Sequence, residues 1–211
     1  MPLEIIDCEQ GSEAWFRCRI GIPTASEFST IMAKGKDGGD SVTRRAYMNK
    51  LAGEVLTGLA MDSYSNEHME RGKIMEDEAR DLYSLIHDVE PQRVGFVRNG
   101  DAGCSPDSLI GTAGGLEIKT ALAHIQIDRI RKNALPPEHR AQVQGNIWLC
   151  ERDWWDFVSY SPKLPPLIIR VPRDDGYIAT IAGAVAKFNE ELAATVEMVR
   201  SYGNHPQAVA A

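Results

Sequence analysis

The sequence predicts an α/β (α+β) protein with a helical N-terminal part, a small central mixed β-sheet flanked by helices, and a long C-terminal helix. Three observations carry this. Residues 41 to 58 and 66 to 87 place apolar side chains at helical spacing. From about residue 92 the texture changes to short strand-like runs broken by Gly and Asn-Gly turns. Ile178, Ile181, Val185, Phe188, Leu192 and Val199 then step by three, four or seven, and Gly203 marks an end.

The elements follow in order. Ser12 caps a first helical turn through Arg17, and Gly21-Ile22-Pro23 breaks it. Thr24-Ala25-Ser26-Glu27-Phe28 opens another short helix, followed by a flexible basic loop with Gly35, Gly38, Gly39, Lys34 and Lys36. In the segment from 66 to 87 the stripe Met69, Ile74, Met75, Ala79, Leu82 and Ile86 is expected to face a core. Strands are expected at Val94 to Val97, Ala102 to Ser105, Leu116 to Thr120, Trp155 to Tyr160 and Leu167 to Val171. A helix carrying Gln142-Val143-Gln144 begins near Pro137.

A chain of 211 residues, 43% hydrophobic and 25% charged, has the composition of a globular protein, and residues 1–211 are read as one domain. No run approaches the roughly 18 apolar residues of a membrane span, and Met1-Pro2-Leu3-Glu4 lacks a basic segment before an apolar one; the expectation is a cytoplasmic protein with no membrane partner. Cys8, Cys18, Cys104 and Cys150 are too dispersed for a disulfide framework or a zinc pair. A net charge of -7 excludes a histone-like grip on nucleic acid, so any DNA contact must be local. Acidic excess can also reflect carboxylates gathered around a divalent cation.

The segment that best fits such a cluster is Ser105-Pro106-Asp107, nine intervening residues, then Glu117-Ile118-Lys119. Strand alternation puts Glu117 and Lys119 on one face and Leu116 and Ile118 in the core. If Asp107 closes the preceding strand, a connection containing Gly111, Gly114 and Gly115 can fold back as a hairpin and bring its carboxylate to Glu117. Two carboxylates suit Mg²⁺, which lowers the pKa of a water that can attack a phosphodiester. An ammonium beside them orients or helps deprotonate that water and offsets charge on the phosphoryl oxygens. The plainer alternative is a surface ion pair on a strand. On the helix before, Lys73, Glu76 and Arg80 share one side; they form either a solvated charged face or the source of one more metal ligand.

Taken together, the motifs resemble those of the phage lambda exonuclease family of viral recombinases, a branch of the PD-(D/E)xK nucleases. The matching stretches are Glu9-Gln10-Gly11 with Ala14-Trp15, Arg19 to Glu27, Gly72-Lys73 with Glu76 and Ala79-Arg80, Cys104 to Asp107, Leu116 to Lys119, and Ala141 to Gln144 with Trp148. The resemblance implies a restriction-endonuclease-like core and a Mg²⁺-dependent enzyme, with Mn²⁺ expected to substitute. Such an enzyme degrades one strand of linear duplex DNA from its 5′ end, releases mononucleotides and leaves a 3′ single strand for recombination.

By position, the resemblance makes Asp107, Glu117 and the main-chain carbonyl of Ile118 metal ligands, adds Glu76 to the metal site, and sets Lys119 on the attacking water. Arg19, Ser26, Ser105 and Gln142 fall where the family binds the 5′-phosphate; taken alone, Arg19 reads as a surface charge and Ser26 as a helix cap. Met69 corresponds to an apolar wedge at the DNA end, although by itself it is a core methionine. Lys36 replaces an arginine that contacts DNA. Pro106-Asp107-Ser108 departs from a pattern that often has glycine after the aspartate, and Gly145 stands where an aromatic is common. The resemblance further implies a homotrimeric ring around DNA, a single-strand annealing protein as partner, and a phage or prophage origin acting in the bacterial cytoplasm. Two alternatives remain: a structure- or sequence-specific endonuclease of the same fold, and a catalytically idle DNA-end-binding subunit.

Overall fold

The computed structural model describes residues 3–36, 38–61 and 67–202, the side chains of 67–73 aside. Its architecture is mixed α/β. In chain order come β1 (Glu4–Ile6), α1 (Glu13–Cys18), a 3-10 turn at Ala25–Glu27, α2 (Phe28–Met32), α3 (Val42–Thr57), α4 (Glu67–His87), β2 (Phe96–Asn99), β3 (Ala102–Cys104), β4 (Ser108–Ile110) and β5 (Gly114–Thr120). Then follow α5 (Ala123–Lys132), a 3-10 turn at Pro137–His139, α6 (Arg140–Leu149), β6 (Trp154–Tyr160), β7 (Leu167–Pro172) and α7 (Asp175–Ser201). Among the described residues, no helix is long and apolar enough to cross a membrane.

The strands form two sheets. β1, β2 and β3 make an antiparallel three-stranded sheet, and β4-β5-β6-β7 make a four-stranded one. In the larger sheet β5 runs antiparallel to β4 and parallel to β6, while β6 and β7 are antiparallel. Parallel neighbours need a long crossover, and α5 with α6 supplies it. Side-chain alternation divides this sheet between two layers. Leu116, Ile118 and Val158 pack with Ala79 and Tyr83 of α4 on one face. Trp155 and Phe157 join the main core, which holds Val143 and Ile147 of α6, Phe28 of α2, Leu51 of α3 and Phe188 of α7.

Local chemistry accounts for the helix ends. Ser41 Oγ accepts from the N–H of Arg44 at the start of α3, and Gly58, with φ of 69°, closes it in the left-handed region. Ser12 caps α1 through the N–H of Trp15, as expected. Asp174 caps α7, and its buried stripe of Ile178, Ile181, Val185, Phe188, Leu192 and Val196 fixes it to the body. At roughly 1.5–3 kcal/mol per buried side chain, that stripe outweighs the helix's exposed ion pairs, worth about 1 kcal/mol or less each.

Several expectations are corrected. Val199 is exposed and Val196 is the last buried position: both fall on the face of Leu192, but residues 197–200 are exposed on every side, so the packing ends before 199. Of the expected core stripe on α4, Ala79 is buried and Met75 and Leu82 are half-buried, but Ile74 and Ile86 are 63% and 51% exposed; the face that meets the sheet is turned toward Ala79, Arg80 and Tyr83. Thr24, not Ser26, holds the N-cap position of the 3-10 turn. Asp107 does not close the preceding strand but stands just ahead of β4, so only 111–113 separate β4 from β5. The departure at Gly145 has a packing reason: a Cβ there would lie 2.5 Å from the ring of Phe28, so α6 approaches α2 only without one. Met69 and Lys73, by their side chains, and Gly203 lie outside the described residues.

Candidate active site

The β4-β5 hairpin places the two principal carboxylates. Ser108 pairs with Leu116, and one step beyond the ladder Asp107 stands across from Glu117. The main-chain N–H of Ile118 donates to Asp107 Oδ2 at 2.5 Å, which locks the aspartate against β5. Ile118 itself sends its side chain into the core. Because Leu116 and Ile118 face α4, Glu117 and Lys119 face α6.

Glu117 is 1% exposed, and its charge is balanced from three directions. Lys119 Nζ lies 2.5 Å from Oε1, Gln142 Nε2 donates to the same oxygen at 2.7 Å, and Asn146 Nδ2 donates to Oε2 at 2.9 Å. Gln142 and Asn146 are one turn apart on α6, so a single helix face grips both carboxylate oxygens. Burial would lower the Lys119 pKa, but the charges of Glu117, Asp107 and Glu76 outweigh it and hold the ammonium above its usual range. The Asp107 carboxyl moves well above the ordinary carboxylate range: burial comes first, then the charges of Glu117 and Glu76, against an opposing pull from Lys119 and the Ile118 N–H.

Glu76 reaches Asp107 from the α4 side. Its Oε1 is 2.5 Å from Arg80 Nη2. It lines, with Asp107, Gln10, Arg80 and Arg93, a cavity of about 460 Å³ behind the aspartate.

In front of Asp107 lies a second cavity of about 220 Å³. Its walls include Arg19, Ser26, Ser105, Gln142, Asp107, Glu117 and Lys119, together with Trp15 and Asn146. Ser105 Oγ accepts two hydrogen bonds, from Trp15 Nε1 at 2.8 Å and Arg19 Nη1 at 3.0 Å, while the Arg19 guanidinium lies 4.0 Å over the Trp15 ring. With its lone pairs engaged, the Ser105 hydroxyl is left as a donor. Ser26 Oγ is 3.2 Å from Thr24 Oγ1. The resulting wall of guanidinium, hydroxyl and amide groups suits a phosphate.

The structure therefore gathers seven of the expected residues around one space and Glu76 just behind it. Lys36 is exposed on its loop and does not line the cavity. Four lining residues were missing from the expected site: Trp15, Thr24, Ala25 and Asn146. Asn146 was legible as the residue four positions after Gln142; nothing local marks Trp15 as the partner of Ser105.

A divalent cation fits these donors. Among the described residues, no group of three or more His, Cys, Asp or Glu side chains forms a ready-made cage. Two carboxylates crowding one another beside a cavity, with space for water, is instead the open arrangement in which Mg²⁺ keeps much of its hydration.

The fold and the clustering define a restriction-endonuclease-like protein. The chain belongs to the YqaJ-like viral recombinase domain family, which it matches over residues 14–153. It is similar to the crystal structure of an alkaline exonuclease, LHK-Exo, from Laribacter hongkongensis, with a TM-score of 0.82 and 32% identity over 92% of this chain and 98% of that one. LHK-Exo in complex with dAMP gives a TM-score of 0.83 and 33% identity over the same shares. A phage related exonuclease from Haemophilus somnus 129PT shares the fold, with a TM-score of 0.67 at 16% identity over 84% of this chain and 96% of that one. No curated protein matches the chain. Its kinship is with exonucleases of the viral recombination type.

Proposed function

We propose that this protein is a Mg²⁺-dependent 5′-to-3′ exonuclease acting on the ends of linear double-stranded DNA, releasing mononucleotides and leaving 3′ overhangs for recombination by strand annealing. The observation that carries the reading is the shared cavity: the phosphate-type wall of Arg19, Ser26 and Ser105 and the charged set of Asp107, Glu117 and Lys119 face one space of about 220 Å³. A phosphate held by the first set lies within reach of the second. The complex of LHK-Exo with dAMP supports a nucleotide-sized occupant in this family.

Asp107, Glu117 and the carbonyl of Ile118 would hold the cation, with Glu76 completing the set. When bound, Mg²⁺ supplies the charge that activates water and stabilises the phosphoryl oxygens. Lys119 contributes a fixed ammonium that orients the attacking water and offsets developing negative charge. Gln142 and Asn146 keep the Glu117 carboxylate in one orientation. Arg19 and Ser105 engage the terminal 5′-phosphate, with the Trp15 ring holding the guanidinium flat. Lys36 on its exposed loop contacts the DNA backbone, and Met69 acts at the duplex end. A homotrimeric ring enclosing DNA gives processivity to an acidic chain, and an annealing protein takes up the 3′ strand. The whole chain acts as one catalytic domain.

The test is to incubate the full chain with Mg²⁺ and 5′-phosphorylated linear duplex, with closed circular duplex in parallel. Mononucleotides from the linear substrate alone support the reading. Cutting of closed circles would establish an endonuclease instead.

A further inference from the structure

Arg80 is a buried cation that the chemistry above does not use. It is 5% exposed, and its fork is committed in every direction. Nη2 donates to Glu76 Oε1 at 2.5 Å and to the main-chain carbonyl of Asp107 at 3.3 Å, Nη1 to Asp77 Oδ1 at 2.6 Å, and Nε to Ser108 Oγ at 3.0 Å.

Stability alone is a poor reason for this arrangement. Taking a guanidinium out of water costs several kcal/mol, and an apolar side chain of similar volume often does as well or better. Its acidic partners do not compensate fully, because Glu76 and Asp77 keep 32% and 50% of their side chains in solvent. What the fork achieves is geometric. One planar group from α4 reaches both the open end of the β4-β5 hairpin, at Asp107 and Ser108, and the carboxylate of Glu76 on its own helix. Lysine, with a single nitrogen at its end, cannot span these points.

We propose that Arg80 is a positioning residue for the divalent-cation site. It holds Asp107 from behind through its carbonyl and Glu76 from the side through Oε1, so that acids from two elements present one donor set. Oε1 carries the Arg80 bond, and the carboxylate retains acceptor capacity for a cation. Groups that orient metal-binding carboxylates from behind in this way commonly change affinity by about 10–100-fold when removed.

This inference rests on the proposed metal site, and the experiment separates the two. Mn²⁺ binding to the full chain without DNA is followed by the relaxation of water protons for the wild type, Arg80→Lys, Arg80→Met and Asp107→Asn, alongside thermal melting of each. The expected result is at least about a tenfold loss of Mn²⁺ affinity in both Arg80 variants with a cooperative melt retained, and recovery of hydrolysis at raised Mg²⁺ with an unchanged KM for DNA ends. Affinity within twofold of wild type in a folded Arg80→Met or Arg80→Lys, while Asp107→Asn loses binding, overturns the role of Arg80 alone. Loss of the cooperative melt in both variants makes Arg80 a structural residue and also overturns it. Unchanged Mn²⁺ binding in Asp107→Asn removes the metal site itself, and the inference falls with it.

Discussion

Gln142 donates its side-chain amide to Glu117 Oε1 at 2.7 Å while lining the cavity that also contains Arg19 and Ser105. An amide nitrogen carries two hydrogens, so Gln142 can touch a phosphate and still hold the carboxylate. The same residue thereby links recognition of the DNA end to the reacting centre. Gln142→Ala should lower kcat on 5′-phosphorylated duplex by about tenfold to a hundredfold, beyond any rise in KM. A pure KM effect in steady-state kinetics would confine Gln142 to binding.

The charged trio gives a sharper expectation. Asp107→Ala, Glu117→Ala and Lys119→Ala should each reduce cleavage by at least about a hundredfold while DNA-end binding, measured by fluorescence anisotropy, persists. Glu117→Ala should also cost about 1–3 kcal/mol of stability, because it strands the buried donor of Asn146. Near-normal turnover in any of the three would take that residue out of the catalytic set.

Arg19 stacks on Trp15 while both donate to Ser105, and this predicts a graded pair of variants. Arg19→Ala should abolish the preference for a 5′-phosphate over a 5′-hydroxyl. Trp15→Phe, which keeps a ring under the guanidinium but deletes the N–H donor, should weaken the preference only in part. Competition between the two substrates reads both effects, and an unaltered ratio in Arg19→Ala would move the phosphate pocket elsewhere.

His139 provides a pH dependence. Its ring stacks on Phe157 with centroids 5.0 Å apart, and Nε2 is 3.3 Å from Arg129 Nη2, a geometry in which the neutral imidazole accepts. Burial, then the charges of Lys119 and Arg129, pull its pKa from 6.5 down to about 4, with only Glu138 opposing. The folded state therefore binds fewer protons than the unfolded chain between those values. The contribution is fully present above pH 6.5 and is lost as pH falls toward 4. Thermal midpoints of the wild type should fall across that window more steeply than those of His139→Gln; parallel curves would assign the acid sensitivity to other groups.

Much of this architecture could be read from local pattern. Period-two alternation in Leu116-Glu117-Ile118-Lys119 separates core from site, and the structure follows it. The stripe of α7 was legible to Leu192, and the caps at Ser12 and the bounds of α3 appear where side-chain chemistry requires them. β1 and β4 escaped at three residues each, whereas the equally short β3 was legible because the Asn99-Gly100 turn joins it to β2. α5 escaped because its buried position is Gln126 while Ile125 and Ile127 stay exposed, so no apolar stripe announces it. On α4 the spacing admitted two faces that share Ala79, and only the sheet packed against it selects the one through Tyr83.

By itself, then, the chain's amino-acid order determined the mixed α/β class, the family, and the strand that carries Glu117 and Lys119, since those depend on periodicities within one element and on motifs of a few residues. Tertiary structure alone decided that α6 grips both oxygens of Glu117, that Trp15 and Arg19 meet on Ser105, and that Arg80 joins α4 to the hairpin. The physical reason is range. Side-chain direction along a helix or strand follows from backbone geometry a few residues long, whereas contacts spanning 25 to 90 positions form only when separate layers pack, and no local pattern encodes that packing.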